Sequence, residues 1–353
     1  MNLRELVDNA ARWLSGEDDA EGMVVSCRAR LARNLSASPF APKATLDDQE
    51  RVIERVLGAA QCSRQLGNAA FFKMNALQGN ERQLLVERHL ISPALADSKG
   101  QRGVLFSSDE SLSVMINEED HLRLQAVLPG LQAQAAWQQV DALDDDLGGA
   151  LDYAHSAQWG FLTACPTNTG TGLRVSVLIH LPALVLTEDM ERVMRGLTQM
   201  TFTVRGFYGE GTNASGNLFQ ISNQSTMGVS EEEIVEKLAE VTRQIMEHER
   251  EAQTALLKEA SSQVEDKVWR AYGLLAHARV LSSQEFMNLL SAVRLGRSLG
   301  LMGTMSSGFI NQLMIITQPS HLQAEAGVEL SPEERDVRRA YVVRRRLAEM
   351  GAA

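Results

Sequence analysis

Between Met23 and about Asn223, apolar and polar residues alternate in short runs bounded by Gly, Asn, Ser and Pro. That is the pattern of half-buried strands in an antiparallel or mixed sheet. Residues 112–116, 175–179 and 218–221 show it most clearly. Helical spacing intervenes near residues 47–58, 122–147 and 182–200, so this stretch predicts an α+β domain with a sheet flanked by helices. At Ser230 the period changes. Ser230 and Glu233 have the spacing of a capping box, and Ile234, Leu238, Val241 and Ile245 then recur at helical spacing. Further helices are predicted over 263–280, 283–299 and 307–317, and a last one opens at Ser331-Pro332-Glu333-Glu334 with proline at its first position. The predicted organisation is a leader helix over 1–22, an α+β domain over 23–253 and an all-α domain over 254–353.

A chain of 353 residues can bury a large core, and 44% hydrophobic with 22% charged residues describes an ordinary soluble protein. The first 19 residues are polar and acidic, without the apolar stretch of a signal peptide. The longest apolar run, 175–186, contains His180 and Pro182 and is too short to span a bilayer. A cytoplasmic location with no membrane association follows as the expectation. Cys27, Cys62 and Cys165 have neither metal-like nor disulfide-framework spacing, so any special role is that of a thiol, and no protein-bound metal is expected. A formal net charge of −11 argues against direct nucleic-acid binding and suits basic partners, although solubility alone accounts for it equally well.

Candidate chemistry sits in separated segments that place arginines or carboxylates beside turn-forming residues. Arg28 and Arg30, at i and i+2 in Ser26-Cys27-Arg28-Ala29-Arg30, point the same way if that segment is extended. Alone they would read as a solvated strand face. Arg123, Arg174 and Arg205, each beside an acidic or Gly-rich turn, change that reading toward a clamp for a polyanion, since a planar fork matches phosphate bidentately and stays charged. Moving the terminal phosphoryl group of a nucleoside triphosphate is mainly positioning plus neutralisation of phosphate charge. No Walker A sequence, no G-x-G-x-x-G after a strand, and no H-R-D or D-F-G pair is present, so neither P-loop nor Ser/Thr/Tyr kinase chemistry is indicated.

Carboxylates define the acceptor. A guanidinium is a poor nucleophile while charged, and the gap of about nine pKa units to a glutamate would cost on the order of 12 kcal/mol if the proton left beforehand. Two carboxylates can instead orient the planar fork and take its proton as the N–P bond forms. Glu119, in Asn117-Glu118-Glu119-Asp120-His121-Leu122-Arg123, and Glu210, between two glycines, are the candidates, each also readable as part of a solvated turn. Glu210 lies in a stretch to Asn217 that reads as a closable lid. Cys165 precedes Pro166 and a Gly/Thr-rich turn, where it reads either as a thiolate contacting a guanidinium or as an inert buried cysteine. Near the C-terminus, Arg335 and Arg339 are spaced i and i+4 and so share a helix face; with Asp336 they could hold a phosphorylated arginine, or be solvated or paired with nearby Glu.

Together these segments resemble the phosphagen (creatine and arginine) kinases and, more closely, the bacterial protein arginine kinases of the McsB type. The resemblance runs through Ser-Cys-Arg-Ala-Arg at 26–30, the acidic motif at 117–123, Cys-Pro-Thr-Asn-Thr-Gly-Thr-Gly-Leu-Arg at 165–174 and Arg-Gly-Phe-Tyr-Gly-Glu-Gly at 205–211. It continues through Val-Arg-Leu-Gly at 293–296 and Arg-Asp-x-x-Arg-Ala at 335–340. It implies an ATP site lined by Ser26, Cys27, Arg28, Ala29, Arg30, His89, Arg123, Arg174, Val175, Ser176, Val177, Leu178, Arg205, Gly206, Phe207, Tyr208, Gly209 and Glu210, with Mg²⁺ held mainly by phosphates. Glu119 and Glu210 match the paired catalytic carboxylates, Cys165 the reactive cysteine, and Arg335, Asp336, Arg339 and Ala340 a phosphoarginine-recognising site. The resemblance further implies a homodimer, a zinc-containing activator, a Clp ATPase/protease and a stress-response repressor as partners.

Two departures stand out. The small helical domain that precedes the catalytic domain in metabolite-phosphorylating relatives is missing, as a bulky protein substrate would require. Gly211-Thr212-Asn213 replaces their Gly-Glu-His-Thr turn. The expected activity is therefore ATP-dependent phosphorylation of protein arginine side chains. A free guanidino-metabolite kinase and an inactive phosphoarginine-binding adaptor are the alternatives.

Overall fold

A computed structural model of the chain describes residues 3–17, 22–206, 215–303 and 305–351. In chain order the helix α1 (Leu3–Asp8) and a 3-10 turn at Arg12–Leu14 precede strand β1 (Val24–Arg33) and helix α2 (Leu46–Cys62). Then come β2 (Ala70–Lys73), α3 (Gly79–Glu87), α4 (Pro93–Asp97), β3 (Gly103–Phe106), β4 (Leu112–Ile116), β5 (Leu122–Pro129) and α5 (Ala133–Gly148). A two-residue hairpin, β6 (His155–Ser156) with β7 (Gly160–Phe161), leads to β8 (Leu173–His180), α6 (Pro182–Leu186), α7 (Met190–Gln199), β9 (Phe202–Gly206) and β10 (Leu218–Asn223). The remainder is helical: α8 (Glu231–His277), α9 (Ser283–Ser298), α10 (Ser307–Ile316), α11 (Pro319–Ala326) and α12 (Pro332–Gly351).

The strands form one eight-stranded sheet in the order β2-β3-β4-β5-β1-β8-β10-β9, with every pairing antiparallel. Its two faces have different jobs because side chains alternate along each strand. On β1, Cys27, Ala29 and Leu31 point into a core shared with α2, α5 and α8. On the opposite face Val127, Leu178 and Leu218 pack against the C-terminal helices, and Val104, Phe106 and Met115 pack against α3 and α4. Between these two apolar patches the face is polar.

Local chemistry sets the helix starts. Thr45 and Ser230 both make full capping boxes, with Asp48 and Glu233. Several boundaries differ from the sequence expectation. The helix expected over 122–147 begins only at Ala133, because Leu122–Pro129 is a central strand, buried on both faces, whose alternation is hidden by its apolar content. The helix expected over 182–200 is split around Glu188, which has φ 63°. No helix starts at Gln263: α8 is one 47-residue helix with a break at Ala260 (φ −142°, ψ 36°). Among its described residues the leader segment is α-helical over Leu3–Asp8, and Trp13, in the 3-10 turn beyond it, is buried among the C-terminal helices. Among the described residues no helix is long and apolar enough to cross a membrane.

Candidate active site

Strand register gathers the arginines. Arg30 on β1 lies opposite Gln125 on β5 and Arg174 on β8, Arg123 pairs with Ala32, and Arg205 pairs with Gln220 on β10. Pairing preserves the face on which a side chain stands, so Arg28, Arg30, Arg123, Arg174 and Arg205 share the polar patch. They line one cleft of about 920 Å³ together with His89, Glu119, Cys165 and Asn168. Ser283, Gln284, Met287, Ile315, Gln318 and Pro319, from the C-terminal helices and their connections, complete its wall.

Charge in this cleft is unbalanced. Among the described residues, Arg123 is the member of the five that has carboxylate partners, with Nη1 2.5 Å from Glu118 and Nη2 3.1 Å from Glu119. Arg28 donates to Gln220 Oε1 at 3.2 Å, and Arg174 donates to Ser222 Oγ at 3.1 Å while its buried Nε has no partner among the described residues. Burial, reinforced by Arg174 and Arg123, brings the Arg28 guanidinium down to about 10. Arg30 is pushed down by burial and by Arg28, Arg123 and Arg174, against the opposing pull of Glu118. Arg174 moves the same way through burial, Arg205 and Arg123. The half-buried His89 imidazole, desolvated in the cleft and next to Arg28 and Arg30, falls to about 3 and is neutral at pH 7. Cations held this close and poorly neutralised among the described residues are chemically suited to a polyanion.

Glu119 stands at the cleft edge, on the β4–β5 turn, with 45% of its side chain exposed. Asn168 Nδ2 donates to its Oε2 at 3.4 Å, which links it to the loop carrying Cys165. The half-buried Cys165 Sγ lies 3.0 Å from Thr167 Oγ1. Beneath the surface, Asp120 Oδ1 accepts from Asn34 Nδ2 and from the Ala164 amide, each at 2.6 Å. The residue after Glu119 and the residue before Cys165 are thus tied through one carboxylate. His121 holds the same turn: its Nδ1 accepts from the Leu35 amide at 3.0 Å, so its Nε2 donates to the Pro39 carbonyl at 3.0 Å. Sequence reasoning took Asp120 only as part of an acidic run and passed over Asn34 and Gln125, whose contacts span dozens of residues.

The family described as ATP:guanido phosphotransferase, C-terminal catalytic domain, matches residues 50–252, and that described as protein-arginine kinase McsB C-terminal domain matches residues 261–353. Whole-length relatives agree. The chain is 46% identical over 348 residues to the protein-arginine kinase of Halothermothrix orenii, covering 98% of this chain and 99% of that one. It is 47% identical to that of Moorella thermoacetica, covering 97% and 99%. The chain belongs to the protein-arginine kinase family of ATP:guanido phosphotransferases.

Solved structures show that this kinase has the phosphagen-kinase fold. Lombricine kinase superposes with a TM-score of 0.59 at 23% identity, over 68% of this chain and 70% of its own. The duplicated taurocyamine kinase of Schistosoma mansoni gives 0.60 at 23% identity, over 69% of this chain and 36% of its own.

Within the kinase, not every residue expected at the nucleotide faces the cleft. The side chains of Cys27, Ala29, Val175 and Val177 point into the main core, because strand alternation sends every second residue of those motifs to the other face. Burial pushes the Cys27 thiol up to about 12, an inert group. Ser26, Ser176 and Leu178 stand on the cleft side but line a small pocket below Arg28 and His89. Gly206 ends β9, and Phe207, Tyr208, Gly209, Glu210 and the turn 211–213 lie outside the described residues.

The group at 335–340 does not line this cleft. Arg339 does not stand free beside Arg335: it is buried, donating through Nε to the Thr317 carbonyl at 3.1 Å and through Nη1 to the Leu281 carbonyl at 2.7 Å and Asp336 Oδ1 at 2.5 Å. Turning it inward satisfies carbonyls at the end of α10 and before α9. Ala340 is buried as well, and Arg335 is half-buried.

Proposed function

We propose that this enzyme transfers the γ-phosphoryl group of ATP to arginine side chains of proteins. The observation that carries the reading is the cleft itself: five guanidiniums on one sheet face, four of them without a carboxylate partner among the described residues, with Glu119 and Cys165 at its edge. In this reading Arg28, Arg30, Arg123, Arg174 and Arg205 neutralise the triphosphate. Neutral His89 borders the nucleotide. Glu119 orients the incoming guanidinium, with Glu210 as second carboxylate on the strength of the motif resemblance. As the nitrogen lone pair forms the N–P bond, the bond from the γ-phosphorus to the bridging oxygen breaks, ADP leaves, and the proton passes to the carboxylate. Cys165 contacts the same guanidinium.

Mg²⁺, which the motif resemblance implies, would be carried on the phosphates that these arginines hold. When bound it supplies positive charge to phosphate oxygens.

The relatives named as protein-arginine kinases, matched nearly end to end, support a protein rather than a metabolite acceptor. The motif resemblance extends the reading further: residues 23–253 as the catalytic domain, 254–353 for dimerisation and phosphoarginine binding, and a cytoplasmic location. It also extends to a product that marks proteins for a Clp-type protease, a stress-response repressor among the substrates, and a zinc-containing activator.

Incubation with γ-labelled ATP and either unfolded casein or free arginine tests the acceptor. Label on casein is expected. Label confined to free arginine makes this a metabolite kinase, and no ATP turnover at all leaves a binding adaptor.

A further inference from the structure

The wall of the cleft is anchored from the far end of the chain. Glu87, the last residue of α3, lines the cleft but directs its carboxylate at the start of α11. It accepts from the backbone amides of Ser320 (2.9 Å) and His321 (3.2 Å) and from His321 Nδ1 (2.8 Å). These are first-turn N–H groups with no partner inside their own helix, and a carboxylate there is also favoured by the helix dipole. Glu87 therefore caps α11 from 234 residues away. Because Nδ1 carries the proton donated to Glu87, the His321 Nε2 is an acceptor, and it faces Arg88 Nη1 at 3.4 Å. Arg88 in turn is buried in an ion pair with Glu110 and donates to the Asn9 carbonyl at 2.9 Å.

The next residue is His89, which projects into the cleft beside Arg28 and Arg30. It occupies the left-handed backbone region (φ 60°), uncommon for a residue with a side chain, so its placement must be imposed by its surroundings. Two contacts fix it locally: Gln125 Nε2 donates to its carbonyl at 2.7 Å, and Trp13 meets its ring edge-on at 5.1 Å. The residues immediately before it, Glu87 and Arg88, are held by His321.

We infer that His321 is a positioning residue for the nucleotide: through Glu87 and Arg88 it fixes His89 and the α3 end of the cleft, making the C-terminal helices part of the ATP-binding machinery. This rests on the ATP reading given above. It specifies a donor at the Nδ1 position of residue 321 and an ionised carboxylate at 87. Burial holds the imidazole below its ordinary pKa, against the pull of Glu87, and Arg88 opposes protonation further, so the neutral ring required here is the stable form.

Titration of the full-length protein with a fluorescent ATP analogue, paired with steady-state kinetics and thermal melting, tests this. His321→Asn keeps a donor near the Nδ1 position, whereas His321→Gln places its amide elsewhere. The Asn variant should retain wild-type affinity, and the Gln and Glu87→Gln variants should bind ATP about five- to tenfold more weakly, with KM for ATP rising more than kcat falls. Equal affinity in all three variants, or a lower melting temperature and kcat with KM for ATP unchanged, overturns the inference. Failure of the wild type itself to bind the analogue would instead sink the ATP reading on which it depends.

Discussion

Arg30 shows most clearly what the polar patch is for. Two neighbouring guanidiniums, Arg28 and Arg174, stand on adjacent or paired positions, and burial adds to their repulsion. Such an arrangement disfavours the folded protein until an anion arrives. Arg30→Met keeps most of the volume and removes a repelled charge. It should leave the melting temperature unchanged or raised, while kcat/KM for ATP falls about ten- to hundredfold, the worth of one charge-assisted contact. A lowered melting temperature with normal ATP use would mean that the residue is structural.

Sequence spacing gave the right orientation for Arg28 and Arg30, since i and i+2 in a strand share a face. It could not show that Cys27 and Ala29, inside the same motif, serve the core instead. Motif membership is continuous along the chain, but exposure alternates. Arg339 is the converse case. Its i+4 relation to Arg335 is real on the helix, yet carbonyls from Leu281 and Thr317, distant in sequence, draw it inward.

At the scale of elements, the antiparallel sheet and the helical C-terminal region were legible because alternation and helical periodicity are local. Strand β5 was not, since a central strand with apolar residues on both faces loses its alternation. Nor were the short elements α4 and β2, whose few residues carry too little pattern to register. The junction of α6 with α8 was equally hidden. There Glu249, fully buried, accepts from the Ala183 and Leu184 amides at 2.9 and 3.0 Å and from Gln253.

Burial outweighs those three bonds and raises the Glu249 carboxyl to about 7 from the ordinary 4.5. The folded state therefore holds this proton more tightly than the unfolded chain does. Its stabilising contribution is complete below pH 4.5 and is lost as pH rises through about 7. The Glu249→Gln variant lacks that titration. Denaturant unfolding of the two should show wild type gaining on the variant by on the order of 2–3 kcal/mol between pH 8 and pH 5. A constant difference across that range would contradict the assignment.

Across the whole molecule, the sheet supplies the charged floor of the cleft and the C-terminal helices supply part of its wall. Val127, Leu178 and Leu218 bind the two regions together on the same sheet face that carries the arginines. The enzyme class emerged from motifs in their order along the chain. The three-dimensional coupling of Glu87 to His321 could emerge only from the fold, because nothing local in either segment points to the other.

The central claim is that this arginine-floored cleft delivers phosphate to a side-chain nitrogen steered by Glu119. Mass spectrometry of a casein substrate, incubated with ATP and kept at neutral pH because an N–P bond is acid-labile, tests it most directly. Phosphate should map to arginine residues with wild-type enzyme and be lost with Glu119→Ala. Phosphate on Ser, Thr or Tyr instead, or undiminished arginine phosphorylation by Glu119→Ala, would contradict it.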